Sequence, residues 1–162
     1  MKEESDKITQ EIKVIEALGN RKGKKLFSLL LMKYEKNSPQ IRSAAVQAMR
    51  KIADADSVNF FTRVTCDKNE KGWIRNSAIE ALIDLDCPDK LPLFGSVLNE
   101  IIDFNMKHLT GISYAQKLDE IPGPDTVIGA LMRYGDEGGT DISVYLLRNK
   151  IDFRLINSPL DH

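Results

Sequence analysis

Apolar residues recur along this chain at steps of three and four, as in Ile12, Ile15 and Leu18, then Leu26, Phe27 and Leu30, then Ile41, Ala45, Met49 and Ile52. Such spacing lines one face of an α-helix with core-forming side chains. Polar residues interrupt the pattern midway through each stretch, as two amphipathic helices joined by a tight turn require. No convincing period-two run occurs, so the pattern predicts helices and close to no strand.

Laid over itself, the chain repeats. Ile41-Arg42-Ser43-Ala44-Ala45-Val46-Gln47-Ala48-Met49 falls without a gap on Ile74-Arg75-Asn76-Ser77-Ala78-Ile79-Glu80-Ala81-Leu82, at a spacing of 33. The match continues through Ile52 on Leu85, Asp56 on Asp89, Val58 on Leu91 and Phe60-Phe61 on Leu93-Phe94. With one residue of slack, Ile12, Ile15, Leu18, Leu26, Phe27 and Leu30 form an earlier, degenerate copy, and Ile128, Leu131, Tyr134, Ile142 and Leu146 a later one. A fixed period of this length marks stacked helical hairpins sharing one continuous core. The expectation is a single domain over 1–162, with repeats at about 5–36, 38–67, 71–105 and 124–149, an irregular insertion at 106–123 and a tail at 150–162.

Turn chemistry agrees with these boundaries. Gly19-Asn20 and Gly135-Asp136 supply residues tolerant of positive φ after a helix, while Ser38-Pro39 and Gly123-Pro124-Asp125 mark helix starts. Pro88 and Pro92 fall at or within the first turn of the helix that follows.

The paired motifs Ile41-Arg42 with Ala45 and Ile74-Arg75 with Ala78, together with Ala17-Leu18-Gly19-Asn20, Ala81-Leu82, Asp56 and Asp89, resemble the HEAT repeat, particularly its bilin-lyase-like subclass. The resemblance covers most of residues 8 to 149. It implies an all-α fold, a right-handed α-α superhelix built as a short HEAT-like solenoid of about four helical hairpins. It also gives Arg42 and Arg75 the part of a structural ladder, each reaching polar groups of the turn next door while its stem covers apolar surface. An anion site is the functional alternative for the same two residues. The outer copies lack the Arg, as terminal caps do.

Charge alters the picture in one respect. Residues 1 to 50 hold 11 Lys or Arg against 6 Asp or Glu, leaving 12 against 18 for the rest of the totals of 23 and 24. Much of the excess sits in Arg21, Lys22, Lys24 and Lys25, at the start of the second helix of the first repeat. Cations there oppose the helix dipole, so local helix stability does not explain them. This basic turn is a candidate docking point, with a solvated, solubilising turn as the plain alternative. No apolar run is long enough to span a membrane, and the first residues lack a secretory pattern, so a cytoplasmic protein is expected.

Chemistry-bearing constellations are scarce. His108 and His162 are the two histidines, and Cys66 and Cys87 share no metal-ligand spacing, so no metal site, no catalytic set and no cofactor is expected. Both cysteines read as semi-buried packing residues. Gly135-Asp136-Glu137-Gly138-Gly139-Thr140 lacks the Gly-Lys-Ser/Thr ending of a phosphate loop and reads as a helix-connecting turn.

Solenoids bind along the surface lined by the second helix of each pair. In this frame Lys25, Ser28, Asn59, Thr62, Arg63, Pro92, Gly95, Ser96, Asp141 and Val144 lie between core positions, with Lys25, Asn59 and Arg63 as the foremost polar contacts. Small residues in that row also follow from helix crowding alone. Trp73, the single tryptophan, is either a recognition anchor or a cover for its adjacent turn. The function expected is a non-catalytic scaffold or adaptor holding a protein or peptide on its concave surface, with no metal and no membrane. Two alternatives stand beside it: a lyase or chaperone-like factor for a tetrapyrrole protein, implied by the subclass alone, and nucleic-acid backbone binding through the basic turn.

Overall fold

Helices form where the apolar spacing sets them. The computed structural model describes residues 2–21, 23–35, 37–52, 55–108 and 113–135. Among these residues eight α-helices run in order: α1 (Lys2–Gly19), α2 (Lys24–Tyr34), α3 (Pro39–Ile52), α4 (Val58–Cys66), α5 (Gly72–Asp84), α6 (Leu91–Lys107), α7 (Tyr114–Glu120) and α8 (Pro124–Gly135). Short 3-10 turns, Ala55–Ser57 and Pro88–Lys90, lead into α4 and α6, and no strand occurs among the described residues. The fold is an all-α, HEAT-like solenoid.

Local signals explain the boundaries. Pro39 opens α3, where its missing N–H costs nothing, and the Ser38 hydroxyl accepts from the Ile41 amide at 3.4 Å. Arg50 and Lys51 close α3 with the charge its C-terminal dipole favours. Asp86, just after α5, is the one non-glycine described residue at positive φ, 53°. Asn20 therefore does not take the left-handed geometry its turn suggested. Gly19 instead ends α1 as a buried helical residue whose added Cβ would lie 2.8 Å from both Cα and Cβ of Ala48. Its value is close approach between α1 and α3.

First helices stack in a row, α1 on α3, α3 on α5 and α5 on α8, and each second helix packs on the first helix of the next repeat: α2 on α3, α4 on α5, α6 on α8. Ile15, Leu30, Val46, Met49, Phe61, Ile74, Ile79, Leu82, Phe94, Leu98 and Leu131 make one continuous core. Phe60 knits α2 to α4, with its ring 6.1 Å from Phe27 and 5.1 Å from Tyr34, both edge-on. Phe94 stacks on Tyr134 at 6.1 Å and ties α6 to α8.

The stretch expected as an irregular connection holds α7. Ser113 and Gln116 form a reciprocal capping box that starts this seven-residue helix. The end of α7 presses on the start of α5, where an added Cβ at Gly72 would run into the Ile121 carbonyl. The helix expected to close the fourth repeat, with Asp141 and Val144, the turn expected at 136–140 and the tail at 150–162 all lie outside the described residues.

Candidate partner-binding surface

The second helices carry a repeated row of solvent-facing side chains. In α4, Phe60, Phe61, Val64 and Thr65 are buried, while Asn59, Arg63 and Cys66 are exposed at helical steps of four and three. The equivalent positions in α2 are Lys25, Leu29 and Met32, and in α6 Pro92, Ser96 and Asn99, all exposed. The row changes character along the solenoid, from basic and apolar at α2 to small and polar at α6.

Sequence reasoning placed Lys25, Asn59, Arg63 and Ser96 on this surface, and the structure brings them to it. Gly95 is buried and Thr62 half-buried, so these two serve helix packing. Leu29, 40 % exposed, and Met32, 71 % exposed, join the row unexpectedly, because apolar residues amid Leu26, Phe27, Leu30 and Leu31 give no sign by type of facing solvent. Their offset of 34 positions from Arg63 and Cys66 was the available signal. Cys66 is exposed rather than semi-buried, since α4 ends there with its last turn facing solvent, whereas Cys87 is buried.

Behind this row, Arg42 and Arg75 hold equivalent places near the starts of α3 and α5. Arg42 donates to the Asn37 carbonyl at 2.6 Å and to both oxygens of Glu70 at 2.7 and 2.8 Å. The Tyr34 hydroxyl adds a third side-chain bond to Glu70 at 2.7 Å, so α2, α3 and the α4–α5 turn meet on one carboxylate. Burial pushes the Glu70 carboxyl up, but hydrogen bonds from Arg42, Tyr34 and the Lys71 amide outweigh it and hold it below the ordinary carboxylate range. Burial and the bond to Glu70 push the Tyr34 phenol up. Arg75, 1 % exposed, donates to the Thr65 carbonyl at 2.9 Å and grips Glu100 through two bonds of 2.7 and 2.8 Å. That bidentate contact holds Glu100 below its usual range. Further along α3, Arg50 reaches Glu80 and Asp84 of α5, and Gln47 donates to Ser77.

Two cations on the exposed row are not engaged in this way. Neither Lys25 nor Arg63 has a carboxylate partner among the described residues. Arg63 lies with its guanidinium 5.7 Å from the Phe60 ring centroid. A hollow of about 230 Å³ opens beside it, lined by Tyr34, Glu35, Arg63, Val64 and Asp67. Of the basic turn, Arg21 and Lys25 are exposed, Lys22 lies outside the described residues, and so does the side chain of Lys24.

Trp73 sits away from this row. Its ring packs half-buried at the start of α5, and its indole N–H donates to Asp119 of α7 at 3.2 Å, beside a Lys71–Asp119 ion pair of 2.8 Å. A cleft of about 680 Å³ separates the α4–α5 turn from the far half of α6 and the end of α7. Its walls mix Lys68 and Lys107 with Asp103 and Glu120, and His108 leans on Phe104 at 4.5 Å. No group of three His, Cys, Asp or Glu stands ready for a metal ion among the described residues, and no described helix is long and apolar enough to cross a membrane.

A family model for HEAT repeats matches residues 2–83, half of the chain. The match is to HEAT repeats at large and does not single out the bilin-lyase-like subclass. No curated protein and no solved structure matches the chain.

Proposed function

The chain belongs to the HEAT-repeat family, and on that premise we propose that it is a non-catalytic cytoplasmic scaffold or adaptor that holds a partner protein or peptide along the exposed row of α2, α4 and α6. The observation that carries this reading is a contrast among the cations. Arg42, Arg50 and Arg75 are each committed to carboxylates of the fold, whereas Lys25 and Arg63, on the second-helix row, are held ready without one. Among the described residues Lys25 has no carboxylate of the fold to hold it and Arg63 rests only against the Phe60 ring, so both charges are available to a guest, and Asn59 beside Arg63 offers both a donor and an acceptor.

Asn59 and Arg63 are the residues assigned to primary contact, with Lys25 extending the surface toward the basic turn. Trp73, tied to Asp119, serves α7 rather than a partner. The decisive experiment is affinity capture from the native host with the wild-type chain and with an Asn59→Ala/Arg63→Glu variant, read by quantitative mass spectrometry. A partner enriched by the wild type and depleted by the variant supports the reading. Equal recovery of the same proteins with both chains overturns it.

A further inference from the structure

Resting on that reading, we propose that the α2 end of the row is the specificity pocket and that its guest is an acidic amphipathic segment with an apolar anchor. The α2 row is the apolar part of the surface: Leu29 and Met32 stand exposed one helical turn apart, at the places filled by Arg63 and Cys66 in α4 and by Ser96 and Asn99 in α6. Two large apolar side chains presented together in that register, where the later repeats present polar ones, are costly to leave in water unless covered.

Charge selects among possible covers. Lys25 lies one turn before Leu29 and Arg63 stands in the next row, both without carboxylate partners, and exposed Arg21 precedes them. A second copy of the chain docked through the same face would bring these cations against their own copies. A nucleic-acid backbone would gain nothing from Leu29 and Met32 and would meet Glu35 and Asp67 at the edge of the hollow. An acidic helix or strand with Leu-like anchors satisfies both features: its apolar side chains cover Leu29 and Met32 or enter the hollow beside Arg63, and its carboxylates pair with Lys25 and Arg63.

The test uses the full chain and two labelled probe peptides, one built of Leu, Glu and Ala with leucines at steps of three and four, the other identical but with Lys for Glu. Fluorescence polarisation reads affinity, and amide shifts of isotope-labelled protein read the site. The acidic peptide is expected to bind saturably, more weakly as salt rises, and the basic one at least about tenfold more weakly. Met32→Glu and Lys25→Glu should each weaken the acidic peptide by about tenfold while leaving the helical circular dichroism unchanged, because both side chains face solvent. Shifts should gather on Leu29, Met32 and Arg63. Binding that maps to Ser96 and Asn99 alone overturns this inference and leaves the scaffold reading standing. Equal affinity for the two peptides, or indifference to Met32→Glu, also overturns it. So does a dimer in light scattering that Met32→Glu abolishes, or Met32-dependent binding to anionic phospholipid vesicles with no response to the acidic peptide.

Discussion

Arg75 grips Glu100, 25 positions onward, whereas Arg42, its repeat equivalent, grips Glu70, 28 positions onward. Strict repetition would have paired Arg75 with Asp103. The difference arises because α4 stops at Cys66, leaving the turn to supply the acid, while α6 continues to Lys107 and supplies it from the helix itself. The same job is done by two local geometries.

Arg75→Ala should destabilise the fold by about 3 kcal/mol, since it leaves the Thr65 carbonyl and the Glu100 carboxylate without their partner at a buried position. Urea unfolding checks this. Arg133→Ala, whose contact with Asp86 is exposed at 3.2 Å, should change stability by no more than about 0.5 kcal/mol. A larger effect from Arg133 than from Arg75 contradicts the assignment.

Acid should loosen the solenoid through Glu70 and Glu100. Their folded-state affinities for protons are lowered, so the unfolded chain takes up more protons as pH falls. Their contribution is complete above the ordinary Glu pKa of about 4.3, declines as pH drops through it, and vanishes below the folded values. A Glu70→Gln/Glu100→Gln variant should be less stable at neutral pH and show a flatter loss of stability below about pH 4.3. An unchanged acid limb in thermal melts would argue against both pairs.

Gly19→Ala should destabilise despite the better helix propensity of alanine. The gain of about 1 kcal/mol in propensity is set against overpacking on Ala48, where the new Cβ would lie 2.8 Å from two carbons; overpacking costs about 1–3 kcal/mol. Gly129→Ala, inside α8 with nothing within 4 Å of the new Cβ, is the control and should stabilise by about 1 kcal/mol.

The two thiols should differ sharply in reactivity. Cys66 is exposed on the α4 row, while Cys87 is 7 % exposed and burial pushes its thiol up, so little thiolate forms there. One equivalent of a thiol reagent should react with the native chain, and the second only on unfolding. A partner seated across Arg63 should slow the first reaction.

Trp73 reports on α7. Asp119→Ala removes both its indole contact and the Lys71 pair, so tryptophan emission should shift to the red with little loss of global stability, because these contacts are largely exposed. A simultaneous collapse of helicity would place α7 in the cooperative core instead.

The repeat spacing made much of this fold legible. The alignment of Ile41-Arg42 on Ile74-Arg75 located the starts of α3 and α5, and the Phe60-Phe61 match located the core of α4 and α6. What stayed hidden was whatever departs from repetition. Seven residues of α7 leave too short an apolar period to register, and its capping box, Ser113 with Gln116, was the usable clue. Glu100 could not be preferred over Asp103 without knowing how far α6 runs. At the site, Lys25, Asn59 and Arg63 were visible as polar residues between core positions. Leu29 and Met32 stand among the apolar residues Leu26, Phe27, Leu30 and Leu31, where residue type gives no sign of which side chains face out.

The length of α6 also bears on what the protein does with a guest. At 17 residues against 9 for α4, it overhangs by about 12 Å at 1.5 Å per residue. Together with α7, this overhang makes the α6 end of the exposed row unlike the α2 end. On the scaffold reading, a chain lying along it has two orientations that are not energetically alike, so recognition is expected to be vectorial: reversing a bound sequence, with composition unchanged, should weaken the fit.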